Sequence, residues 1–124
     1  MSKKKVLILC PHPDDEIFTF PFFSSEFFLD YNVTALFFTG NPKRNQEAKK
    51  SCFLNEWQSL FSCDLGYRFV DSLIHINYKE LNLLINKIFD EYHIILSPLI
   101  EGGHQDHDTI SYCVVKNAVL RKSD

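Results

Sequence analysis

Apolar positions along this chain alternate between two spacings. Lys5 to Cys10 is a short continuous apolar run stopped by Pro11, the pattern of a strand buried on both faces. Pro21 to about Leu29 suits a helix with proline in its first turn. Val33 to Phe38 reads as a second strand, ended by Gly40, Asn41 and Pro42. From about Lys43 to Phe61 a helix is expected, with Ala48, Cys52, Trp57, Leu60 and Phe61 roughly on one side. Tyr67 to Val70 reads as a short strand. Tyr78 to Tyr92 reads as a helix with a stripe of Leu81, Leu84, Ile85 and Ile88. His93 to Ser97 is a further buried strand closed by Pro98. A last helix is capped by Asp106 or Asp108 and turns Ile110, Cys113, Val114 and Ala118 inward. Arg121 and Lys122 suit its negative end.

Strands that alternate with helices imply βαβ units and a mainly parallel sheet, hence an α/β fold. Ligands of such sheets bind beyond the carboxyl ends of the strands. At 124 residues one domain spanning 1–124 is expected, with no internal repeat or linker. Hydrophobic residues at 45% and charged residues at 23% are the balance of a globular chain.

Charge then removes some classes of function. The net charge is −3, and no basic run extends beyond Lys3-Lys4-Lys5, so a nucleic-acid footprint is not expected. The apolar run after those lysines is too short for a signal-peptide core. The stretch Ile17 to Phe38 is broken by Pro21, Glu26, Asp30 and Asn32, which excludes a membrane span and points to a cytoplasmic protein. Cys10, Cys52, Cys63 and Cys113 form no Cys-x-x-Cys pair and read as small core residues.

The chemistry concentrates in two clusters, each just after an expected buried strand. The first is Pro11-His-Pro-Asp-Asp-Glu16, where two prolines turn the chain sharply. The second is Glu101-Gly-Gly-His-Gln-Asp-His-Asp108, opened by two glycines. Three of the five histidines, His12, His104 and His107, lie in these clusters. Helix capping alone accounts for Asp14 or Asp15 and for Asp106 or Asp108. It does not account for both clusters lying at one edge of one sheet. Two imidazoles and a carboxylate with open positions form the ligand set of catalytic zinc, and equally of non-haem Fe(II).

At these motifs the sequence resembles the PIG-L/LmbE-like N-acetylglucosaminyl deacetylases, zinc-dependent enzymes on a Rossmann-like three-layer fold. The signature is His12-Pro13-Asp14-Asp15-Glu16 with the later His104-Gln105-Asp106-His107. Arg44-Asn-Gln-Glu47 and Asp71 are weaker matches near the substrate. The resemblance implies that His12, Asp15 and His107 bind Zn2+, with Fe2+ as the other candidate. It implies that Asp14 is the general base, and that His104 is an electrostatic or acid partner steadied by Asp106. Asp71 is then a substrate contact, Arg44 either a substrate contact or a solvated helix start, and Glu16 supports the helix start or the ligands. Zinc lowers the pKa of bound water toward about 7, so an adjacent carboxylate can take its proton.

The implied reaction is hydrolysis of the acetamide of a small N-acetylglucosamine-type conjugate, releasing acetate. Phe20-Pro21-Phe22 stands where many members have glycines, which reshapes one wall of the pocket. The resemblance covers this chain but only the amino-terminal, metal-binding part of a typical member. The sheet is therefore expected to be incomplete at its carboxyl end, and either self-association to a homo-oligomer or an exposed apolar edge is expected unless further sequence follows. The alternative is a non-catalytic metal-binding or interaction fragment of such an enzyme. A metal-dependent phosphatase is disfavoured, because a single metal and no further acidic or Lys/Arg phosphate clamp are read here.

Overall fold

The computed structural model describes residues 4–13, 31–54, 56–98 and 105–122. Its elements run β1 (Lys4–Cys10), β2 (Tyr31–Phe37), α1 (Pro42–Leu54), β3 (Gln58–Phe61), α2 (Tyr78–Ile88), β4 (Ile94–Leu96) and α3 (Gln105–Lys122). The strands form one parallel sheet in the order β3-β2-β1-β4. The helix expected between Pro21 and Leu29 lies outside the described residues.

Alternation along the strands builds three layers. Val6, Ile8 and Cys10 of β1, with Val33, Ala35 and Phe37 of β2, face Ala48 and Cys52 of α1. Leu7, Leu9 and Leu36 point the other way, against Leu81, Leu84, Ile85 and Ile88 of α2 and Ile110 and Cys113 of α3. Both strands are therefore apolar at successive positions because each face has its own helical cover. Leu81 and Leu84 are fully buried, so truncating either to alanine costs about 2–5 kcal/mol. The fold is α/β and Rossmann-like, as the periodicity and the resemblance led one to expect. No helix among the described residues is long and apolar enough to cross a membrane.

The expected helix from Lys43 to Phe61 is two elements. Asn41 accepts the Arg44 N–H at 2.9 Å and Pro42 takes the first helical position, a normal start. The end carries no glycine. Glu56 adopts φ 61°, its N–H reaches the Phe53 carbonyl at 3.1 Å, and the Trp57 N–H reaches the Cys52 carbonyl at 2.8 Å. This is a Schellman closure with glutamate in the left-handed position usually given to glycine. The chain then straightens, and Gln58–Phe61 pairs with Thr34–Phe37. Trp57 and Phe61 still reach the same core as Cys52, so the apolar stripe was real but its period changed.

Tyr67 to Val70 is not a strand, because Gln58–Phe61 has taken the place beside β2. The helix expected to Tyr92 ends at Ile88 and passes into a 3-10 turn over Phe89–Glu91. β4 is half-buried rather than buried, because it lies at the edge of the sheet and pairs only with β1 among the described residues.

Candidate metal centre

β1 delivers its last residue to the rim and Pro11-His12-Pro13 turns across it. That turn is tied to the chain leaving β2. The Thr39 N–H and hydroxyl donate to the Pro11 carbonyl at 3.1 and 2.8 Å, and Arg44 Nη2 donates to the Pro13 carbonyl at 3.2 Å. His12 is thereby held with only 12% of its side chain exposed.

The second cluster arrives from the first turn of α3. Asp106 was expected to cap this helix or to steady His104, yet α3 begins at Gln105 and the Asp106 side chain is fully buried. Its Oδ2 lies 2.7 Å from His12 Nε2 and accepts the Ser72 N–H at 2.6 Å. Its Oδ1 accepts the Ile74 N–H at 3.1 Å. One carboxylate thus joins α3 to β1 and to the loop after β3. That loop contributes Asp71, whose Oδ1 stands 3.0 Å from the same His12 Nε2. Ser72 holds φ 67°, a conformation non-glycine residues adopt only under local constraint. The two bonds to Asp106 supply that constraint.

His12, Asp71 and Asp106 offer donor atoms that all lie within 4.8 Å of one another. The His107 ring is adjacent, its centroid 5.7 Å from that of His12 and the planes tilted by 44°. The group fits a divalent cation on two grounds. A single imidazole N–H cannot satisfy two carboxylates at once, so the cluster has more negative charge than one proton balances. Ligand atoms on a tetrahedral zinc, with bonds of about 2.0–2.1 Å, stand about 3.3 Å apart, wider than the 2.7 and 3.0 Å hydrogen-bond spacings at His12 Nε2, so an ion replacing the proton there would need only a small outward shift of the carboxylates. One imidazole and two carboxylates suit zinc, iron or manganese, and the donor set does not name the metal.

Of the residues singled out in the sequence, the structure gathers His12, Asp71, Asp106 and His107 at the carboxyl rim, with Arg44 beside them through Pro13. Asp14, Asp15, Glu16 and His104 lie outside the described residues. The resemblance makes Asp71 a substrate contact, and its approach to His12 has no sequence signal. It sits 35 residues from Asp106 with no metal-ligand spacing to announce it. Comparison of the chain with models of known families, with curated proteins and with solved structures finds no match.

Proposed function

We propose that this chain is a zinc-dependent hydrolase that removes the acetyl group from a small N-acetylglucosamine-type conjugate. The observation that carries the reading is the meeting of His12 with Asp106 and His107. Two motifs more than 90 residues apart, those of the resemblance, come together at the carboxyl end of β1. His12 belongs to either ligand set, the implied one with Asp15 and His107 or the close group with Asp71 and Asp106. When bound, the metal supplies Lewis acidity that polarises an amide carbonyl and makes a water acidic.

The protein's own groups do the rest. Asp14 takes the proton of the attacking water and returns it to the departing amine, as a general base that becomes an acid. His104 donates to the oxygen on which negative charge develops. Asp106, engaged on both oxygens, keeps His12 from turning. Arg44, anchored on the Pro13 carbonyl, is the group we assign to a sugar hydroxyl of the substrate.

The test is acetate release from N-acetylglucosamine conjugates with added zinc and with chelator. Zinc-dependent release abolished by chelator supports the proposal. Stoichiometric metal without acetate release from any such conjugate would leave a metal-binding domain instead.

A further inference from the structure

The inner side of α3, with Asp106, Ile110, Cys113 and Asn117, is buried. On the opposite side of the helix the chain is apolar again. Tyr112, Val115 and Val119 are exposed there at 57, 55 and 57%. Scattered exposed apolar residues are ordinary, but three following one another along a single helix face are not. A helix that is apolar on two opposite faces calls for a cover on each, and α2 with the sheet supplies only one.

The spacing of the outer residues describes the missing cover. Tyr112, Val115 and Val119 are separated by three and then four residues, and Asp108 and Lys122 continue the same alternation at either end. That is the seam of a helix that packs lengthwise along another helix. It runs along almost the whole of α3, 18 residues or about 27 Å at a rise of about 1.5 Å each.

The charges make this helix its own complement. Its first turn is acidic, with Asp106 and Asp108, and its second half carries Lys116, Arg121 and Lys122. Val115 stands seven residues from Asp108 and seven from Lys122. Two copies of α3 laid antiparallel about Val115 therefore bring the acidic end of each level with the basic end of the other. Tyr112 of each comes within one residue of the level of Val119 of the other. The helix dipoles are also opposed, which favours the pair. A parallel pair would set like charge level with like.

We propose that this face binds a second copy of the chain, in a two-fold dimer whose α3 helices pack antiparallel about Val115. Such a contact uses the same patch on both copies and closes at two. One helix pair is at the small end of protein interfaces, so the dimer is a reversible one. Asp106 and His107 lie in the first turn of α3, which puts the two candidate metal centres at opposite ends of the pair. Neither centre is shared, and the proposal does not depend on the metal reading.

The test is sedimentation velocity of the full chain in chelator, from about 1 μM to about 1 mM. The sedimentation coefficient should rise with concentration from that of a monomer toward that of a dimer. Val115→Glu, at an exposed position, should weaken association at least about tenfold while the melting temperature of the dilute protein stays within about 2 °C of wild type. A second variant reads the geometry directly. In a chain with Cys63→Ser, which removes the exposed native thiol, Val115→Cys places a thiol at the two-fold axis and should cross-link two copies under mild oxidation. Phe53→Cys in the same background should not, because Phe53 is exposed on α1, across the sheet from α3. A monomer at every concentration, the result if a different partner covers this face, would overturn the proposal. So would unaltered association of Val115→Glu, or equal cross-linking of the two cysteine variants.

Discussion

Replacing Asp106 with asparagine keeps the shape of the side chain and removes its charge and one acceptor. Asp106 Oδ1 and Oδ2 together receive the Ser72 N–H, the Ile74 N–H and His12 Nε2. Asparagine can retain one backbone donor through its carbonyl oxygen. Its amide nitrogen then faces the other N–H, donor against donor, in a fully buried place. Each lost bond to a charged group is worth about 1.5–3 kcal/mol, and an orphaned N–H adds its own desolvation. Relief of burying a carboxylate offsets part of this. Release of Ser72 from its positive φ returns a further ~1 kcal/mol as the loop relaxes. The net loss should be about 2–4 kcal/mol. For a chain of this size that lowers the melting temperature by roughly 10 °C. The measurement is thermal unfolding in chelator, followed by zinc content after reloading. Zinc retention should fall with stability, because the Asp71 loop and His12 are no longer held facing one another. A melting temperature within about 2 °C of wild type, with zinc retained, would show that Asp106 does not organise this site.

The remaining predictions concern the ligands, the base, a helix end and a thiol. Purified protein should hold about one zinc, and His12→Ala should abolish it. Loss in His107→Ala with retention in Asp71→Asn selects the ligand set implied by the resemblance, and the converse selects the close group. Asp14→Asn should keep zinc while acetate release falls roughly 10²–10⁴-fold, the worth of a general base; loss of metal in that variant would reassign Asp14 as a ligand. Glu56→Gly should raise stability by about 1 kcal/mol in denaturant titration, since glycine takes φ 61° without steric cost, and a destabilised variant would contradict the Schellman closure. Cys63 is exposed while Cys10, Cys52 and Cys113 are buried, and burial pushes the Cys113 thiol up. A raised thiol pKa means less thiolate at a given pH, so alkylation of native protein near pH 8 should modify Cys63 first and Cys113 only on unfolding. Equal labelling of the two would refute that order.

Periodicity determined most of the architecture because it reports burial directly. Val6 to Cys10 is apolar at every position and Val33 to Phe38 at all but Thr34, which only a sheet covered on both faces can use, and helices lie on both faces. The stripe of Leu81, Leu84, Ile85 and Ile88 likewise needed no tertiary information, since it is one face of one helix. The end of α1 was not legible, because its closure rests on a backbone conformation that glutamate does not advertise. Only strand pairing with β2 could tell that Trp57 and Phe61 belong to an extended segment. The half-burial of β4 depends on its being at an edge, which is a property of the sheet and not of Ile94–Leu96.

The same division holds at the rim. The two polar clusters were visible in sequence, and their convergence followed from both lying after strands. The partnership of His12 with Asp71 was not visible, because it depends on where the loop after β3 comes to rest. That place is fixed by the buried Asp106 carboxylate drawing in the Ser72 and Ile74 N–H groups. A hydrogen bond between residues 34 apart leaves no trace in spacing or composition. Local sequence sets the period of each element and the chemistry each carries; which groups face one another is decided by the packing that brings their elements together.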